Sequence, residues 1–276
     1  MLMCDDRHER TMLRVGPAGY PPGSKGAVQA VERVKALGLN ALEVQFGRGV
    51  NLNEERSREL GARARELDIA LSAHAPYYIN FNSTPEKVVK SHDWLMRALR
   101  STDTMGGRIV VVHAASYMGR TSEQTTRKVI EALKQVRRQM EEEGLRPLIG
   151  LEAMGKISAW GTLREIAEVM DEVDGVEPVP DFGHIHARGQ GCLKTKEDFQ
   201  EALDGYLQLH PGRLHCHFSC IEYTDKGEKR HLLLETEEPD FALFAECVRD
   251  SGREFTIISE TPAPSEDAAR MRAMLA

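Results

Sequence analysis

No stretch of the chain approaches the roughly 18 consecutive apolar residues that a membrane-spanning helix requires, so no membrane role is expected. Cysteine is sparse. Cys4, Cys192, Cys216, Cys220 and Cys247 are odd in number and include no Cys-x-x-Cys pair, which argues against a disulfide framework and for a reducing, cytoplasmic setting. The opening residues, MLMCDDRHER, lack the apolar centre of a secretion signal. Residues 1–12 read as a polar leader, with Met12 an alternative start, because the first apolar segment opens at Leu13. Excess basic charge is also missing. A net charge of −7 excludes a general nucleic-acid coat protein, whose binding rests on basic surface that releases counterions. It does not exclude a nuclease, since two or three bound divalent ions would supply about 4 to 6 positive charges where phosphate must sit. With no Pro/Ser-rich linker, composition break or low-complexity segment, residues 13–276 read as one catalytic domain, and a monomer is expected.

What is present is an alternation. Apolar, β-rich runs recur at 13–16, 41–46, 69–74, 108–113, 147–152, 176–181, 213–218 and 254–260, with amphipathic stretches between them. Thr84 before Pro85, Thr121 with Gln124 three later, and Thr195 with Asp198 three later read as helix N-caps. Gly38, Gly144, Gly175 and Gly252 stand where helices should stop. In the fourth stretch Val129, Leu133, Val136 and Met140 make one buried stripe. Runs such as IVVV and FTII suit strands covered on both faces, and eight strand–helix units favour a closed α/β structure, a (β/α)8 TIM barrel, over an open sheet.

The polar residues fall where that architecture gives them meaning. The third to eighth strands end in His74, His113, Glu152, Asp181, His217 and Glu260, all side chains that can ligate zinc. Barrel active sites lie at the C-terminal rim of the strands, so these six would point into one cavity. A single strand-end histidine is usually structural. Six ligand types in succession are not explained that way, because buried imidazoles and carboxylates packed without a metal leave charges poorly paired. His184 and His231, both expected on loops after strands, extend the set. His186 and His215 receive no role, although His215 shares a strand face with His217 and could support it.

The segments HAPYYIN from His74, VVHAAS around His113, GLEAMGK around Glu152, DFGH from Asp181, then His217, His231 and SETP around Glu260 together resemble the endonuclease IV family (AP endonuclease family 2). The resemblance spans residues 13–276. It implies one zinc on His74, His113 and Glu152, and a second on the same Glu152 with Asp181, His217 and Glu260. A third zinc would be held by His184, His231 and an aspartate two residues before that histidine, where this chain has Lys229. Two outcomes are open there. The Lys229 ammonium, together with Arg230, contacts the phosphate directly as a catalytic group, or it turns outward and another group such as Glu222 completes the site with His184 and His231. The resemblance also implies DNA contacts by Tyr77, by Tyr78 in place of an apolar wedge, and by Arg48 in a minor-groove loop.

The activity so implied is hydrolysis of the phosphodiester 5′ to an abasic site in double-stranded DNA, as in base excision repair. Two zincs would share a hydroxide, and Glu152 would set their separation. The rival reading is a sugar isomerase or epimerase of the xylose isomerase-like barrels. These share the architecture but use carboxylate-rich sites for one or two ions, whereas this rim is rich in histidine.

Overall fold

The computed structural model describes residues 13–276; the polar leader and Cys4 lie outside the described residues. Eight parallel strands form the barrel: β1 (Leu13–Pro17), β2 (Ala41–Gln45), β3 (Ala70–His74), β4 (Ile109–Val112), β5 (Leu148–Glu152), β6 (Val176–Val179), β7 (Leu214–Phe218) and β10 (Phe255–Ser259). They pair as β2-β3-β4-β5-β6 and as β1-β10-β7. Two single parallel bridges, Ala18 with Glu43 and Asp181 with His217, close these sheets on each other.

The β1–β2 seam has its own chemistry. A Cβ at Gly16 would lie 1.8 Å from the Ala41 carbonyl oxygen, so only glycine lets the strands approach. The Asn40 side chain takes over the missing ladder contacts. Its Oδ1 accepts from the Val15 N–H at 2.8 Å and its Nδ2 donates to the Leu13 carbonyl at 3.0 Å.

Helices α1 (Ala27–Ala36), α2 (Glu54–Glu66), α3 (Pro85–Met105), α4 (Ser122–Glu143), α5 (Leu163–Met170), α6 (Phe182–Arg188), α7 (Lys196–Leu209), α8 (Phe241–Ser251) and α9 (Pro264–Met274) belong to the connections between strands and the chain's end. Thr121 and Thr195 each form a capping box with Gln124 and Asp198. Thr84 stands at the N-cap position, but its hydroxyl meets the Glu86 carboxylate instead of capping. Gly144 and Gly252 end α4 and α8 in the left-handed region. Gly175 does not cap: α5 has already stopped at Met170, and Gly175 serves the turn into β6. The stripe of Val129, Leu133, Val136 and Met140 is fully buried, as is all of β4, each such side chain contributing about 1.5–3 kcal/mol.

Two elements depart from the expected alternation. His184 is on α6, not on a loop; Asp181 caps that helix, its Oδ1 accepting from the His184 N–H at 2.7 Å. His231 is on a strand. After β7 the chain makes an antiparallel hairpin, β8 (Cys220–Thr224) and β9 (Gly227–Leu232), which folds over the rim, its Lys156–Gly227 bridge joining it to the segment after β5. Its mixed polar sequence has no apolar alternation by which it could be recognised.

Candidate metal centre

Alternation along each strand decides what faces the barrel interior. Glu43 and Gln45 on β2, Ser72 and His74 on β3, Glu152 on β5, and His215 with His217 on β7 meet there. His113 and Glu260 follow directly on the last residues of β4 and β10, and Asp181 stands two residues past the end of β6. The structure thus brings all six strand-end residues to one rim.

Among the described residues four sets of donor atoms lie within 4.8 Å of one another: three on this rim, His74, His113 and Glu152; Glu152, Asp181, His217 and Glu260; and His184, Glu228 and His231; and a fourth beneath it, Glu43, His215 and His217. Glu152 belongs to two sets through its two oxygens. Its Oε2 lies 3.0 Å from His74 Nε2 and 2.7 Å from His113 Nε2; its Oε1 lies 3.1 Å from His217 Nδ1 and 3.5 Å from His184 Nδ1.

The donor chemistry fits divalent metal. His74, His184 and His231 each give Nδ1–H to a backbone carbonyl, of Ala75 at 2.8 Å, Ala153 at 2.9 Å and Glu260 at 2.9 Å. That fixes the tautomer and directs each Nε2 to a carboxylate: Glu152 for His74, and Glu228 for the other two at 3.5 and 3.9 Å. A lone pair against a carboxylate oxygen is repulsive unless something positive lies between, either a second proton or a metal ion. Buried Asp181 Oδ2 likewise has no hydrogen-bond donor.

In the metal-free protein, protons do this work. Burial opposes charge on His74, but Glu152, Glu260 and Glu43 outweigh it and push its pKa up to about 9. Burial also opposes charge on His184, yet Asp181, Glu152 and Glu228 raise it to about 9. Burial works against the Glu152 carboxylate too, but His113 and His217 hold it well below the usual range. His217 is driven well above the ordinary imidazole value, Glu260, Glu43 and Glu152 overcoming its desolvation.

Two carboxylates of the site escaped sequence reasoning. Glu43 is fully buried in the middle of an apolar strand, ALEVQ, and a glutamate there is the signal that could have found it. It bonds His215 Nε2 at 2.9 Å and lies 3.1 Å from His217 Nε2, which places His215 behind His217 and away from the rim. The other is Glu228. Across the hairpin, Glu222 and Tyr223 of β8 face Arg230 and Glu228 of β9, so Lys229 is the unopposed residue of a β-bulge. The extra residue puts Glu228 on the same face as His231, three positions on, where a regular strand would need a spacing of two. A Cβ at Gly155 would come within 2.7 Å of the Glu228 Cβ and 3.0 Å of His184, so glycine is also needed where the hairpin meets the segment after β5.

Of its two expected positions, Lys229 takes the outward one. Its ammonium is ion-paired with Glu222, half of its side chain is exposed, and Glu222 is also held by Arg230 at 2.6 Å. Glu222 therefore completes no site with His184 and His231; Glu228 stands beside them. His186 packs edge-on to Tyr223, away from the three sets.

At the mouth, Tyr77 is exposed while its ring centroid lies 5.6 Å from that of His74 and 6.3 Å from that of His113. Its N–H bonds the Gly47 carbonyl at 3.1 Å, which ties it to the turn bearing exposed Arg48. Tyr78 is less free: its ring tilts against Trp94 at 5.9 Å, with the Lys87 ammonium 5.6 Å from its centroid. No helix among the described residues is long and apolar enough to cross a membrane.

The model of the xylose isomerase-like TIM barrel family matches residues 31–276, and the chain belongs to that family. An uncharacterized protein of Methanocaldococcus jannaschii is 28% identical over 263 residues, covering 93% of this chain and 94% of its own length. The protein named Probable endonuclease 4 of Shouchella clausii is 27% identical over 210 residues, covering 71% of this chain and 70% of that protein. Among solved structures, endonuclease IV from Thermus thermophilus superposes with a TM-score of 0.73 at 23% identity, over 95% of this chain and 98% of that one. A D-tagatose 3-epimerase-like protein does so with 0.72 at 19% identity, over 94% and 95%. Both structures share the barrel.

Proposed function

We propose that this protein is a metal-dependent endonuclease that hydrolyses the DNA phosphodiester 5′ to an abasic site. One observation carries the reading: five histidines and four carboxylates, His74, His113, His184, His217, His231, Glu152, Asp181, Glu228 and Glu260, are distributed over three adjoining donor sets with Glu152 common to two. Zinc takes about four such ligands, so the rim offers more than one ion can use. Adjoining divalent ions, when bound, activate water and stabilise charge on the phosphoryl and leaving oxygens of a phosphodiester.

The chain's own residues do the rest. The two oxygens of Glu152 hold the first two sets in fixed relation. The carbonyls of Ala75, Ala153 and Glu260 keep the histidine rings from rotating, so the donors need little reorganisation. Tyr77 at the mouth offers a ring face for stacking in the gap left when the abasic sugar turns out of the helix, which costs less than extruding a paired base. Arg48, on the adjoining turn, supplies a cation for the backbone.

Purified protein, analysed for zinc, is to be incubated with an abasic-site duplex and, separately, with a panel of ketoses. The expected products are a 3′-hydroxyl and a 5′-deoxyribose phosphate, formed only before prolonged chelation. Ketose epimerisation with intact duplex rejects the proposal, as does a β-elimination product.

A further inference from the structure

A buried carboxylate lies beneath the rim, outside the three donor sets. Ionised Glu43 is acceptor-only, and four donors surround it. Ser72 Oγ donates to Oε2 at 3.0 Å, His215 Nε2 to Oε2 at 2.9 Å, and Gln45 Nε2 to Oε1 at 3.1 Å; His217 Nε2 is hydrogen-bonded to Oε2 at 3.3 Å and lies 3.1 Å from Oε1. This fixes the direction of every bond. His217 must keep a proton on Nε2, which leaves Nδ1, 3.1 Å from Glu152 and 3.4 Å from Glu260, as the nitrogen available to a ligand. Gln45 must turn its amide NH2 inward, so its Oε1 faces outward and accepts from the Tyr77 hydroxyl at 3.2 Å. An unbroken chain of hydrogen bonds therefore runs from an exposed rim tyrosine, through Gln45 and Glu43, to His217.

We propose that Glu43 is a positioning residue that joins the DNA-facing rim to the metal centre, fixing the ring of His217 on one side and, through Gln45, the ring of Tyr77 on the other. Its consequence for DNA rests on the proposed function; its consequence for metal does not. In zinc-loaded wild type, the His217 Nε2–H should give a downfield resonance protected from exchange, because Glu43 accepts it. Glu43→Gln sets an NH2 against these donors. That resonance should be lost, and zinc affinity, measured by chelator competition, should fall about 10–100-fold.

Gln45→Met, at a half-buried position, cuts only the outward arm and guards against a Glu43→Gln variant that does not fold. It should keep zinc affinity. It should also weaken binding to an abasic-site duplex, titrated at fixed salt, as much as Tyr77→Phe does, with no further loss in the double variant. Unchanged resonance and zinc affinity in folded Glu43→Gln overturn the inference, as do additive effects of Gln45→Met and Tyr77→Phe. Wild type that binds no abasic duplex rejects the proposed function instead, and the resonance and zinc measurements then decide the inference alone.

Discussion

Glu228 and Lys229 are adjacent in sequence, yet the bulge in β9 gives them opposite environments, so their substitutions should differ sharply. Lys229→Ala removes an exposed ion pair whose partner, Glu222, keeps Arg230 at 2.6 Å. Exposed pairs of that kind contribute little to stability, and less here because the carboxylate keeps a second cation. Glu228 is different. Only 15% of its side chain is exposed, and its two oxygens lie 3.5 Å from His184 and 3.9 Å from His231, so Glu228→Gln takes the sole carboxylate from a three-donor set. Removing a group that merely orients a ligand weakens metal binding about 10–100-fold, and removing the ligand itself should cost at least that, about 1.4–2.7 kcal/mol. Zinc is to be counted after gel filtration against a weak chelator, alongside single-turnover cleavage of the abasic duplex. Glu228→Gln should lose about one ion per chain and most of its rate; Lys229→Ala should keep both within about twofold. A Lys229→Ala protein that loses an ion, or a Glu228→Gln protein that keeps its full complement, would show that the bulge does not present Glu228 as a ligand.

Glu152→Gln should still fold, as its circular dichroism will show, but slow cleavage by several orders of magnitude, since both carboxylate oxygens are engaged; a loss within about tenfold, about 1.4 kcal/mol in barrier, would refute its shared role. Gly16→Ala drives a methyl group into the Ala41 carbonyl at the β1–β2 seam and should cost about 3 kcal/mol or more in denaturant unfolding; a melting curve like that of wild type would mean the seam can open freely. Zinc affinity should rise with pH up to about 9, with protons released on binding, because His74 and His184 hold theirs to about that pH in the metal-free protein. By the same sign, their contribution to the metal-free fold is complete below about 6.5 and fades as pH rises through 9. Calorimetry at pH 7.5 in buffers of different ionisation enthalpy reads the release, and a buffer-independent heat would contradict it.

What the sequence determined by itself was the alternation and its punctuation. Continuous apolar runs, capping boxes at Thr121 and Thr195, and ligand types at successive strand ends are local signals. Parallel barrel geometry converts them into a shared rim without further information, because every strand delivers its end to the same face. The tertiary structure alone decided which residues lie opposite one another. Glu43 looks like one polar residue in a buried strand until β3 and β7 bring Ser72, His215 and His217 around it. The single unopposed residue in β9 is invisible to spacing rules, which assume regular alternation, yet it turns Lys229 out to Glu222 and sets Glu228 beside His184 and His231. A strand's period of two is written in its own sequence, but a bulge is a relation between two strands. Which carboxylate reaches the rim was therefore settled only when the hairpin folded against the segment after β5.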